Sequence, residues 1–334
     1  MAALSALGKL TEFWRVLRDV NPESVRRDVE RGCTLALLGT DEGGKRAIRR
    51  ALQPIDGNGA SDCLIEVESL DGGDRHALPP RADLFLYVVD ARSGLSGRDV
   101  GALEQLYLLA RPTVLVFAGE GCGALAGEMD HVSRDLGGLV SAVLAIDPHD
   151  EAGVERHVGS LLLATLPNRS LAMSRRIPCL RPAAAEAIIA ETARVNAEFA
   201  LLSNLPAAIP ILGTLAGAGA DLLVLTKNQA MMVLKLAAVY GRDLEQKWNL
   251  AAELAPVVGA AFAWRTAARM LVGVLPAPAA ALPKTAIAFA GTFVVGKAAK
   301  YYFEHGERPS ARVQRRFARE AAEGWERALA GTSS

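Results

Sequence analysis

Gly39, Gly44 and Lys45 are spaced as Gly-x-x-x-x-Gly-Lys, the pattern of a loop that wraps a phosphate chain. Glycines let backbone N–H groups close on phosphate oxygens, and a helix N-terminus behind them adds partial positive charge. Lys45 would reach the terminal phosphates. The next position should carry Ser or Thr, whose hydroxyl ligates Mg²⁺. Arg46 stands there, and a guanidinium has no lone pair to offer a cation. Asp41 and Glu42 also sit inside the loop and partly offset the charge of Lys45 and Arg46. The alternative is a Gly-rich strand-to-helix turn with Lys45 and Arg46 solvated.

The flanking elements suit a phosphate loop. Residues 33–39, CTLALLG, form a short apolar run ending in glycine and read as a buried strand. GGKRAIRRAL then passes from loop into helix. Further strands are expected over residues 63–70, 84–91, 113–119 and 139–147, with helices over 97–110, 124–136 and 151–166. Strands alternating with helices predict a doubly wound, mainly parallel α/β sheet of P-loop type. Ligands of such sheets bind at the carboxyl ends of the strands, where the Gly39 loop falls. Before this domain, residues 1–30 carry two amphipathic helices separated by Asn21-Pro22, a capping residue followed by a first-turn proline.

The run ADLFLYVVDARSGLSGRD resembles the middle of an Era-like small GTPase domain of the translation-factor type. The resemblance covers residues 31–168 and implies GTP as the ligand, with nucleotide-binding positions at Gly39, Gly44, Lys45, Arg46 and Asp71. Each further motif of the family is altered. The family's DxxG falls on Asp71-Gly72-Gly73-Asp74, with Asp74 in place of the glycine that senses the γ-phosphate. The guanine-reading NKxD falls on Ala118-Gly119-Glu120-Gly121, without its carboxylate. Ser141-Ala142 resembles the last, weak motif but lies inside an apolar run. The pattern implies a pseudo-GTPase with a weakened Mg²⁺ site, no catalytic residues and no separate metal centre.

Pro178 and Pro182 bracket an expected linker at residues 169–182, after which only helical patterns appear, through residue 330. From Phe199 to Ala220 there is no charge. As straight helix this stretch would measure roughly 33 Å at about 1.5 Å per residue, close to a hydrocarbon core of about 30 Å. Pro206, Pro210 and Gly213, Gly217 and Gly219 favour a buried or re-entrant segment over a plain span. Asp221 reads as a helix cap. Arg265 and Arg269 share a helix face. Lys297, Lys300, Tyr301, Tyr302 and Phe303 suit either a membrane–water interface or an ordinary helix end. Asp221, Gln229, Met232, Tyr240-Gly241, Gly296 and Tyr302 together resemble the helical domain found after Era-like GTPase domains and in YcjF-type inner-membrane proteins. That resemblance implies membrane association, inserted or peripheral, on the cytoplasmic side of the cell membrane.

Composition narrows the choices. The 334 residues balance 37 Lys and Arg against 37 Asp and Glu, so no basic excess points to nucleic acid. Cys33, Cys63, Cys122 and Cys179 form no CxxC pair and read as buried thiols. The N-terminus lacks the pattern of a signal peptide, so a cytoplasmic start is expected. His76, His131, His149, His157 and His305 are scattered and suggest no nucleophilic triad. Three readings follow: a membrane-associated pseudo-GTPase that scaffolds or regulates an unidentified protein partner, an active P-loop switch, and a soluble helical adaptor. Without the guanine-reading residues, GTP should be preferred over ATP by no more than a few-fold, against the hundred-fold or more of hydrogen-bonded base readout. Competition titration checks this, and a hundred-fold preference would show that another residue reads the base.

Overall fold

The computed structural model describes residues 21–53, 63–66, 82–122, 135–202, 220–245 and 281–331. The chain forms two compact units: Arg27–Ala184, and Ala185–Ser334 together with Met1–Arg26. The expected helix over residues 124–136, the uncharged stretch after Phe199, Arg265 and Arg269 lie wholly or largely outside the described residues.

The first unit is an α/β layer structure. Helix α1 (Glu23–Glu30), of which Arg27–Glu30 belong to this unit, starts after Pro22, with the Asn21 side chain accepting the Glu23 N–H at 2.9 Å. There follow β1 (Leu35–Gly39), α2 (Glu42–Ala51), β2 (Leu64–Glu66), β3 (Leu84–Asp90), α3 (Gly97–Tyr107), β4 (Thr113–Ala118), β5 (Ala142–Ile146) and α4 (Glu151–Thr165). The strands pair in the order β2-β1-β3-β4-β5, all parallel. The order reverses at β1, which has β2 on one side and β3 on the other.

The apolar runs are continuous because both faces of the sheet are covered. Strand side chains alternate between faces. Leu35, Leu37, Leu84, Leu86, Val88, Val114 and Val116 pack in one layer with Ile48 of α2 and Val154, Val158 and Leu162 of α4. Ala36, Leu38, Phe85, Tyr87, Val89, Leu115 and Phe117 pack in the other with Leu103 and Leu106 of α3. The Ser96 capping box starts α3, and its buried Asp99 also accepts the Tyr87 hydroxyl at 2.9 Å. Burial alone would raise the Asp99 carboxyl, but bonds from Ser96 and Tyr87 hold it below the usual range.

Residues 169–182, expected as a linker, fold instead against this core. A 3₁₀ turn (Pro167–Arg169) leads into α5 (Ser170–Arg176) and a second turn (Pro178–Leu180). Ala172, Met173, Ile177 and Leu180 are fully buried in the layer that holds Leu35 and α4. Proline there begins turns, where its missing N–H costs nothing. Arg169 pairs with Asp83 at 3.0 Å, and the other Asp83 oxygen accepts the Thr34 N–H at 2.9 Å, tying the segment to the amino end of the sheet.

The second unit contains most of α6 (Arg181–Leu202), then α7 (Ala220–Val239), α8 (Ala281–His305) and α9 (Ala311–Gly331). Asp221 falls in the first turn of α7. A buried polar network joins three helices: Asn196 of α6 and Gln229 of α7 both donate to the Thr292 hydroxyl of α8, at 2.9 and 3.0 Å. Asn228 donates to Asn196 at 2.8 Å. At Gly296 a Cβ would come within 2.7 Å of Ile189 Cγ1 and 3.1 Å of Met232 Sδ, so glycine is what lets α8 approach α6 and α7. Gly241, at φ +77°, ends α7 with two reversed hydrogen bonds, Gly241 N to Ala238 O and Arg242 N to Ala237 O.

The uncharged part of α8 turns Ala288, Phe289, Val294 and Val295 inward. Lys297 and Lys300 bind Glu186 of α6 at 2.9 and 2.6 Å, and Lys297 also binds Glu320 of α9 at 2.9 Å. Tyr240 stacks on Phe303 and donates to Glu304 at 2.6 Å. These residues therefore act as helix-packing groups. Among the described residues no helix is long and apolar enough to cross a membrane.

Burial pushes the Glu186 carboxyl up, but hydrogen bonds from Lys297 and Lys300 outweigh it and hold the group below the usual glutamate range. Its stabilising contribution is thus complete above that range and is lost as pH falls through the folded-state value. Glu186→Gln should lower stability at neutral pH by about 1–2 kcal/mol and flatten the acid limb of the curve. Urea melts from pH 3 to 7 check this; an unchanged acid limb would mean the pair is energetically silent.

Candidate functional site

The carboxyl ends of the strands meet the reversal of strand order between β1 and β3, the position at which open parallel sheets bind ligands. Only Thr40 and Asp41 separate Gly39, the last residue of β1, from Glu42, the first of α2. The chain turns here because Gly39 adopts φ +118° and lies against the Val88 backbone, where a Cβ would sit 2.7 Å from the Val88 carbonyl carbon. Thr40 and Asp41 then both donate their N–H groups to the Val88 carbonyl, at 2.9 and 3.3 Å.

Asp41 is the N-cap of α2. Its carboxylate accepts the Gly44 N–H at 2.6 Å. Gly44 is buried inside the first turns of the helix, and a Cβ there would overlap the Ala118 methyl and stand 2.8 Å from Val88 Cγ1. Both glycines of the motif therefore serve the close seating of α2 on the sheet. Lys45 is 1% exposed, and its ammonium lies 2.6 Å from Glu42 Oε1. The hydrogen bond from Lys45 holds the exposed Glu42 carboxyl below its usual range. Lys45 is thus buried and ion-paired, unlike the solvated lysine expected of a plain turn.

Arg46 is exposed and borders a cleft of about 450 Å³, together with Arg50 of α2, Asp90 at the end of β3, Arg92 after it, Glu120 after β4 and His149 after β5. Asp90 is at the end of β3, where its carboxylate accepts from Arg92 N at 3.0 Å and Ser93 Oγ at 2.8 Å. Those bonds, led by the one from the Arg92 amide, keep it well ionised. Glu120 pairs with Arg92 at 3.1 Å and lies 3.6 Å from His149 Nε2.

Of the sequence-derived positions, Gly39, Gly44, Lys45 and Arg46 come together at the start of α2, while Asp71 and Asp74 lie outside the described residues. Of Ala118-Gly119-Glu120-Gly121, Ala118 is the last residue of β4, and it lines the cleft together with Gly119 and Glu120. Ser141-Ala142 does not reach it: Ala142 opens β5, at the opposite end of the sheet. The loop at the carboxyl end of β5 is Asp147-Pro148-His149-Asp150. Arg50, Arg92 and His149 were not singled out as site residues. Arg92 and His149 carry a positional signal, since each lies on a loop following a parallel strand, whereas Arg50 lies in the last turn of α2, four residues beyond Arg46.

Burial raises the thiol pKa at all four cysteines. Burial, reinforced by the nearby Asp83 carboxylate, pushes Cys33 to about 12, and burial pushes Cys63 to about 11. Among the described residues no group of three His, Cys, Asp or Glu side chains could hold a metal ion. No protein-family model matches the chain, and a search of curated proteins returns no significant relative.

Because Asp41 acts through its cap, Asp41→Ala should destabilise the α/β unit by about 1 kcal/mol, while Asp41→Asn, which can still accept the Gly44 N–H, should cost only a few tenths. Denaturant midpoints of both variants check this. Equal losses would assign the effect to the charge instead of the hydrogen bond.

Proposed function

We propose that the α/β unit is a P-loop-type fold in degenerate form, an Era-like GTPase domain kept for its architecture and not for turnover. In this reading the helical unit attaches the protein to the cytoplasmic face of a membrane, and the chain works as a scaffold or regulatory protein. The supporting observation is the Asp41 carboxylate on the Gly44 N–H at 2.6 Å. In a working phosphate loop, amides at the helix N-terminus face the nucleotide. Here a carboxylate of the chain itself engages one of them. Lys45 is turned to Glu42, and Arg46 supplies no oxygen for Mg²⁺.

The membrane assignment draws on the uncharged stretch from Phe199 to Ala220 and on the pattern of Tyr240-Gly241, Gly296 and Tyr302. Apolar attachment resists salt, because screening weakens charge pairs and leaves burial of apolar surface intact.

Two measurements test the proposal. A ligand at about a hundred times its dissociation constant would stabilise the protein by roughly 2.7 kcal/mol. Millimolar GTP or ATP should give far less, with or without Mg²⁺, and Lys45→Ala should leave that small response unchanged relative to its own melting temperature. A large Mg²⁺-dependent shift that disappears in Lys45→Ala would replace this reading with the active switch. In fractionation, the protein should stay with membranes in high salt and leave them in detergent. Recovery wholly in the soluble fraction would replace membrane attachment with the adaptor reading.

A further inference from the structure

The charges around the cleft are not equally committed. Its three carboxylates all have partners: Asp41 is held by the Gly44 N–H, Asp90 by Arg92 N and Ser93 Oγ, and Glu120 by Arg92 and His149. Arg46 and Arg50 border the same cleft, and among the described residues their side chains make no hydrogen bond or ion pair. They are four residues apart on α2, so their side chains share one helix face. Arg92 lies on another wall, tied to an exposed glutamate from which a stronger anion can draw it. The uncommitted charge of the cleft is therefore cationic, although its formal charges nearly cancel.

We infer that this cleft binds the phosphate groups of a small molecule through Arg46 and Arg50, without a metal ion and without the amides of the Gly39 loop. The ligand class follows from donor geometry. One guanidinium fork satisfies a carboxylate; two forks on one face match an anion with oxygens in several directions, as in pyrophosphate or a phosphate monoester. A volume of about 450 Å³ is within the usual range for small-ligand sites. Two fixed positive charges take over the neutralising role of Mg²⁺. The inference rests on the degenerate-GTPase reading only in leaving the amides of the Gly39 loop unused, and it locates any residual nucleotide affinity outside the loop.

The test is calorimetric titration of the full chain with inorganic pyrophosphate, in EDTA and at low ionic strength. Binding should be unaffected by added Mg²⁺ beyond the metal's own capture of pyrophosphate. It should weaken at least about tenfold in the double variant Arg46→Ala/Arg50→Ala, the loss expected when charged hydrogen bonds are removed. Arg49→Ala is the control, since Arg49 is exposed on the same helix, has another partner and does not border the cleft. Arg46→Lys/Arg50→Lys should lose most of the affinity despite its unchanged charge, because the forks are gone. No binding of pyrophosphate to the unmodified protein would overturn the inference, as would an equal loss in Arg49→Ala or equal binding of sulfate at matched ionic strength. A GTP arm separates the two claims. GTP bound no more tightly than pyrophosphate and lost with Arg46 and Arg50 supports the inference. GTP bound tightly, only with Mg²⁺ and only with Lys45, overturns both the inference and the pseudo-GTPase reading. Circular dichroism of each variant confirms that a loss reflects the site and not unfolding.

Discussion

Helix α2 lies so close to the sheet that a single methyl group at Gly44 has no room. The contact is with Ala118 at the end of β4 and Val88 near the end of β3. That constraint organises the surrounding end of the α/β unit. It requires Gly44, and the sharp exit from β1 requires Gly39 at positive φ. With only two residues between strand and helix, Asp41 is placed to cap the Gly44 amide. The same seating buries Lys45 and turns Arg46 and Arg50 toward the cleft. Packing alone therefore requires both glycines of the pattern. Substituting either glycine would disturb the sheet contact before any ligand is considered.

The helical unit reaches specificity by a different physical route. Its helices are rich in alanine, whose small side chains give little shape to an interface. Asn196, Asn228, Gln229 and Thr292 supply that shape with directional bonds. Gly296 supplies close approach, and Glu186 with Lys297, Lys300 and Glu320 ties α6, α8 and α9 at a half-buried charge cluster. A buried polar group without its partner costs more than the bond itself contributes. Such a network disfavours sliding of one helix along another.

Much of this was legible in the sequence, for identifiable reasons. The strands at residues 84–90 and 113–118 are unbroken apolar runs, and a parallel sheet covered on both faces demands that pattern. The segment at 169–182 reads as a linker because of Pro178 and Pro182, yet Met173, Ile177 and Leu180 complete the core. Periodicity over so short a stretch carries little information. At the cleft, spacing located Gly39, Gly44, Lys45 and Arg46 but could not distinguish a glycine facing a ligand from one facing a methyl group. Nor could it assign partners: Lys45 to Glu42, and Glu120 to Arg92 and His149. Those assignments depend on how far apart the strand ends lie, which is set by the sheet.

The central claim is that the amides at the start of α2 belong to the fold and not to a nucleotide. The most direct measurement is the ¹⁵N–¹H resonance of Gly44 and Lys45 during titration with Mg²⁺-GTP. The account predicts that both amides stay in place, with Gly44 protected from exchange by Asp41, while any shifts fall on the Arg46 and Arg50 side of the helix. Large saturating shifts of the Gly44 and Lys45 amides, with the Asp41 bond lost, would contradict it.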